Sequence, residues 1–98
     1  MAENLIKFYD YGYKLGEKSK TAKNNSIRTI LLNLARDESN YKAFFQRIML
    51  ISEESEIHIP KVLLLLIDDK VSSKEKELYI YTLLIGLNNS ATKRNNKE

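Results

Sequence analysis

The sequence predicts an all-α fold: a compact bundle of about five helices with a disordered polar tail. Three observations carry this. Apolar residues recur mostly at spacings of three and four rather than two. Only three Gly and one Pro punctuate 98 residues, so long regular segments meet few breaks. A composition of 43% hydrophobic and 30% charged residues belongs to chains that bury a core, not to linkers or disordered segments. Two independent cores would leave about fifty residues each, too few for either. One helical domain over residues 1–89 is therefore expected, with residues 90–98 as the tail.

The first helix is expected from about Glu3 to Lys18, with Leu5, Phe8 or Tyr9, Gly12, Tyr13 and Gly16 on one side. Each interior glycine costs about 1 kcal/mol relative to Ala, so a close helix crossing or a loose last turn should compensate. Residues 19–25 read as a polar connection ending in good capping residues. A second helix follows to about Arg36, its stripe Ile27, Ile30, Leu31 and Leu34 at i, i+3, i+4 and i+7. Asp37 to Asn40 break and re-cap the chain, and Tyr41, Phe44, Phe45 and Ile48 repeat the spacing in a third helix ending near Ser52. Pro60 suits the first turn of a fourth, and the apolar run Val62 to Ile67 favours a central buried helix over a strand without a partner. Ser72 and Glu75 have capping-box spacing. They open a fifth helix whose face is Leu78, Ile80, Tyr81, Leu84, Ile85 and Leu87 and whose end falls between Gly86 and Asn89. The tail has no apolar anchor.

Several chemistries find no residues. There is no Cys, which removes disulfides, thiolate metal sites and cysteine nucleophiles. The only histidine, His58, stands between Ile57 and Ile59 beside a proline and reads as packed or capping. Gly12, Gly16 and Gly86 form no phosphate-binding loop, and Asp68 and Asp69, adjacent on a helix, diverge by roughly 100°. Glu53, Glu54 and Glu56 read as a solvated helix end. No enzyme, cofactor or metal site is expected. The chain start lacks a basic then apolar leader, and the longest apolar run, Val62 to Ile67, is far short of the roughly twenty residues of a membrane span; a soluble cytoplasmic protein without membrane contact is the expectation. Gly12 and Gly16 have the small-xxx-small spacing of close helix pairs. Tyr41, Tyr79 and Tyr81 fall on or beside apolar faces. Tyr9, Tyr11 and Tyr13 cannot share one face, and Tyr11 is expected to point outward toward a ligand or partner.

The net charge of +3 hides an asymmetry: residues 1–50 carry nine basic and five acidic side chains, residues 51–98 seven and eight. The densest positive run is Lys14, Lys18, Lys20, Lys23 and Arg28, against Glu17 alone. Lys20 and Lys23 precede the second helix, where the macrodipole is already positive, and Glu53, Glu54, Glu56, Asp68 and Asp69 gather at C-terminal helix ends, where it is negative. Solvent screening makes such placement neutral. The other reading is that partners supply the counter-charge: a helix N-terminus ringed by Lys suits a phosphate, and the acidic ends suit basic surface on a neighbouring copy, a heterologous contact that builds a stack.

With this layout the chain resembles the helical small subunit of type I CRISPR effector complexes and the related C-terminal helical domain of their large subunit. The segments that carry the likeness are Phe8-Tyr-Asp-Tyr-Gly-Tyr-Lys-Leu-Gly16 running into a basic turn, Ile27-Arg-Thr-Ile-Leu-Leu-Asn-Leu-Ala-Arg36 before an acidic break, Tyr41-Lys-Ala-Phe-Phe-Gln-Arg-Ile48, and Leu78-Tyr-Ile-Tyr-Thr-Leu-Leu-Ile-Gly-Leu87. The likeness covers roughly residues 5–88 and has no invariant signature. It implies a subunit without catalytic residues, present in several copies beside the large and backbone subunits. Such subunits hold the displaced DNA strand or support the guide–target duplex. Lys14, Lys18, Lys20, Lys23 and Arg28 would be the backbone contacts, five in number, for a salt slope of about −3.5 on single-stranded DNA. The alternative is a helical adaptor, or a phage or plasmid accessory protein, that binds another protein and no nucleic acid.

Overall fold

The computed structural model describes the backbone of residues 2–96 and the side chains of residues 2–90. The chain forms α1 (Ala2–Lys18), a single turn α2 (Lys20–Lys23), α3 (Asn25–Ala35), a 3-10 turn (Glu38–Asn40), α4 (Tyr41–Glu54), a second 3-10 segment (Lys61–Ile67) and α5 (Ser73–Asn96). No strand occurs among the described residues. The radius of gyration, 12.6 Å, is that of one compact domain of this length, about 13 Å.

The scaffold is a pair of sequence-distant helices. Contacts advance together from Asn4 with Tyr79, through Gly12 with Leu83, to Gly16 with Ser90, so α1 and α5 run parallel. Glycine lets their backbones touch. A Cβ built on Gly12 would stand 2.8 Å from the carbonyl carbon of Leu83 and closer still to its oxygen, and one on Gly86 would stand 3.0 Å from the Tyr13 nitrogen and closer still to the Tyr9 oxygen. In each case an Hα occupies that space and faces a carbonyl, a contact worth about 0.5–1 kcal/mol. The close crossing expected from the small-xxx-small spacing is thus present, and the partner glycine comes from the other end of the chain. Gly16 is less tightly held, 2.9 Å from the Ser90 Cβ and 3.0 Å from the Leu87 oxygen.

The other elements cover one side of this pair. Phe8 stacks on Tyr79 with ring centroids 4.7 Å apart and planes within 9°. Around them pack Leu15, Ile80, Leu83 and Leu87 with Leu31, Phe44, Ile48, Ile51, Leu63 and Leu66. The expected faces of α1 and α5 were partly rotated. On α1, Tyr11 and Leu15 are buried along with Phe8 and the glycines. On α5, Leu78 and Ile85 are exposed, while Tyr79 and Leu83 are buried. The glycine contact sets both rotations, because Gly86 must face α1. Burial continues to Ser90, so α5 passes its expected end at Gly86 to Asn89, and the ordered domain includes Ser90. The expected disordered tail lies, from residue 91 on, outside the described side chains.

The run Val62 to Ile67 is not the expected central helix. As a 3-10 segment it repeats every three residues: Leu63 and Leu66 are buried, Val62 and Leu65 half-buried, Leu64 and Ile67 exposed. Its apolar surplus therefore faces outward in part. In α3, Leu31 is buried and Ile27 and Leu34 are half-buried, but Ile30 is exposed. Asp37 does re-cap the chain, accepting from the Ser39 N–H at 3.0 Å. Ser72 caps α5, accepting from the Glu75 N–H at 3.2 Å. The reciprocal half of that box is missing, because the Glu75 carboxylate accepts from the Tyr79 hydroxyl at 2.5 Å.

The end of α4 is a Schellman turn. The Ile57 N–H donates to the Ser52 carbonyl at 2.9 Å and the Glu56 N–H to that of Glu53 at 3.2 Å. Glu56 takes φ 56° at the position where glycine is usual, and Ile57 is buried behind it.

Two stability predictions follow from these backbones. Gly12→Ala and Gly86→Ala should each lower the unfolding free energy by about 2 kcal/mol or more, overpacking outweighing the gain of about 1 kcal/mol in helix propensity. Gly16→Ala should cost about 1 kcal/mol or less; equal effects at the three sites in urea titrations would contradict the backbone contact. Glu56→Gly should raise stability by about 0.5–1 kcal/mol by removing the left-handed strain, read as a higher urea midpoint at unchanged slope.

Candidate nucleic-acid interface

The five basic residues singled out by the sequence divide into two groups. Lys14, Lys18 and Lys20 are exposed, and among the described residues no side chain or carbonyl engages their ammonium groups. Lys23 and Arg28 are committed within the fold. The Lys23 ammonium donates to the Glu17 carbonyl at 2.9 Å, reaching back to the C-terminal end of α1, where a cation complements the dipole. Arg28 reaches from α3 to α5, its guanidinium donating to Asn88 Oδ1 at 3.2 Å and to Asn25 Oδ1. Its Nε is buried without a partner.

This alters the expected anion site at the start of the second helix. The turn between Lys18 and α3 is α2, capped by Ser19, whose hydroxyl accepts from the Ala22 N–H at 3.0 Å. The first turn of α3 is capped by Asn24, which accepts from the Ser26 N–H at 2.8 Å. Lys23 and Arg28 are tied into hydrogen bonds rather than ringing that turn as free cations. The acidic residues Glu53, Glu54, Glu56, Asp68 and Asp69 are exposed, and Asp68 turns the chain by accepting from the Lys70 N–H at 2.9 Å.

Lys7 belongs with the free group although the sequence reading passed over it. It is exposed, seven residues before Lys14 and eleven before Lys18, so the three ammonium stems line one edge of α1 at rises of about 10 and 6 Å. The signal was available in that spacing. Along the chain Glu3 and Asp10 dilute it, and it stands out only around the helix.

Tyr11 lies behind this edge and does not point outward as expected. It is 4% exposed, and its hydroxyl shares a hydrogen bond with Ser52, itself buried. Burial pushes the phenol above its ordinary pKa, with the Ser52 bond acting in the opposite sense. The misreading arose because α1 is covered on two sides, by α5 and by the end of α4. The surface tyrosines are Tyr9 and Tyr13, whose rings stack at 6.3 Å. Tyr9 also accepts from Asn89 Nδ2 at 2.9 Å. Tyr41 and Tyr79 are buried and Tyr81 half-buried, as their apolar faces implied. His58 is exposed, contrary to a packed role, and among the described residues it makes no hydrogen bond that would cap a helix.

Lys7, Asp10, Tyr11, Lys14, His58 and Pro60 line a hollow of about 220 Å³. Among the described residues no group of three or more His, Asp or Glu is placed to hold a metal ion, and no helix is long and apolar enough to cross a membrane. Compared with protein-family models, curated proteins and solved structures, the chain matches none.

Tyr11→Phe should destabilise by about 1–2 kcal/mol, because it leaves the Ser52 hydroxyl buried and unpaired. The double variant Tyr11→Phe/Ser52→Ala should recover most of that loss. A cycle showing simple additivity would remove the coupling.

Proposed function

We propose that the chain is a non-catalytic helical subunit that binds nucleic-acid backbone through the lysine edge of α1 and α2. Its place would be in an RNA-guided complex of the kind whose small subunits it resembles. The observation that carries the reading is the set of four exposed, unengaged lysines: Lys7, Lys14 and Lys18 on α1 and Lys20 at the start of α2. Their charges add nothing to the fold through pairing, and a row of ammonium groups neutralises phosphates without reading bases. Guide pairing would supply the sequence recognition that this surface lacks. The natural ligands are then the displaced DNA strand or the backbone of the guide–target duplex. The exposed carboxylates at the end of α4 and after Ile67 would meet large or backbone subunits or neighbouring copies.

A second reading, a protein-binding adaptor without nucleic-acid affinity, is favoured by the outer face of the helix pair. Ile6, Leu78 and Ile85 are 61%, 45% and 54% exposed, and Tyr9, Tyr13 and Thr82 are half-buried on the same two helices. The two readings use different surfaces and differ in salt dependence.

Fluorescence anisotropy with labelled oligothymidylate decides between them. Four contacts at about 0.7 each give a slope of log affinity on log salt of about −2.8. Substituting Lys7, Lys14, Lys18 and Lys20 together by Gln should flatten it, whereas Arg28→Gln should leave it in place and lower stability. An unchanged slope in the lysine variant, or no binding by the folded protein and its complex, rejects the proposal.

A further inference from the structure

The hollow beside α1 combines features that no internal interaction accounts for. Lys7 and Lys14, one heptad apart on α1, line it together with buried Tyr11. The segment Ile57–Pro60, held by the Schellman turn at one end and by buried Ile57, contributes His58 and Pro60 to the same lining. Two lysines and a histidine therefore line one cavity from two separate parts of the chain. Asp10 is on the rim, four residues before Lys14, the arrangement in which a helical ion pair forms most readily. Among the described residues neither Lys7 nor Lys14 pairs with it, and His58 has no hydrogen-bond partner.

We propose that this hollow is a site for one phosphate group, held by Lys7 and Lys14 with His58 in the same lining. Resting on the function proposed above, the phosphate is one unit of a nucleic-acid backbone. A phosphate offers several acceptor oxygens in different directions, which fits donors spread around a cavity better than a planar carboxylate does. At about 220 Å³ the hollow has room for the group and several waters of about 30 Å³ each. The Asp10 carboxylate opposes the ligand. It weakens the site for a single free anion, so inorganic phosphate saturates it only at higher concentration than a chain of linked phosphates anchored at Lys18 and Lys20.

His58 is the only histidine in the chain, so its imidazole carbon–proton signals in NMR are a unique reporter. The folded protein is titrated with inorganic phosphate at constant ionic strength and, separately, with oligothymidylate. Both should shift the His58 signals saturably. Lys7→Gln and Lys14→Gln should each weaken phosphate binding at least threefold, while Asp10→Asn should strengthen it about twofold, with circular dichroism unchanged for these exposed positions. Saturable phosphate binding without oligonucleotide binding would keep the site and overturn the proposed function, the source then being a free phosphate compound. Oligonucleotide binding that leaves His58 unmoved would overturn the site and keep the lysine edge. A phosphate response insensitive to Lys7 and Lys14 would overturn the site as well.

Discussion

The contact between the backbones of α1 and α5 through Gly12 and Gly86 fixes the rest of the molecule. Because each glycine must face the opposite helix, neither helix is free to rotate about its axis, and every other side chain on them is assigned a direction. Phe8, Leu15, Tyr79 and Leu83 are turned into the core that α3, α4 and the Lys61–Ile67 segment complete. Tyr11 is turned toward Ser52 at the end of α4. What remains on α1 is an edge of lysines on one flank and Ile6, Tyr9 and Tyr13 on the other. The surface chemistry is in this sense a remainder, set by which positions the glycine contact leaves over.

The electrostatics follow a division between charges that hold the fold and charges that do not. Lys23 and Arg28 satisfy a carbonyl and two asparagine oxygens and join α2 to α1 and α3 to α5. Lys7, Lys14, Lys18 and Lys20 have no such task. Exposed cations of this kind contribute little to stability, so the fold does not depend on their placement. The cluster of positive charge read along the chain is thus two groups, one bonded within the fold and one not.

Much of the architecture was legible because it rests on local rules: the helical periodicity of Tyr41, Phe44 and Ile48, the caps at Asp37 and Ser72, and the glycine spacing on α1. What was illegible depended on partners far away in sequence. Gly86 gave no sign of pairing with Tyr9, and the phase of α5 could not be set without it, so Leu78 and Ile85 were placed inside. Tyr11 is buried because α1 is covered on two sides, by α5 and by Ser52 at the end of α4, and a local pattern reveals only one. The run Val62 to Ile67 was ambiguous in itself, since continuous apolarity carries no period, and only the threefold alternation of burial reveals the 3-10 form. For the candidate site, the exposure of Lys14, Lys18 and Lys20 was legible, and the commitment of Arg28 to Asn88 was not, because the two lie sixty positions apart.

The parallel pairing of α1 with α5 also constrains the order in which the chain acquires its structure. Joining Gly12 to Leu83 closes a loop of about seventy residues, at an entropic cost of roughly 4 kcal/mol, whereas the individual helices form locally in about a microsecond or less. The intervening helices cannot be anchored to a finished core until that closure occurs, so the segment from α2 to the second 3-10 turn waits on its two flanks. On a ribosome the first helix would emerge early with Phe8 and Leu15 uncovered and remain so until α5 had cleared the exit. The finished core of this helical protein therefore requires one long-range encounter, as the strand pairing of a β protein does and the stepwise docking of neighbouring helices does not.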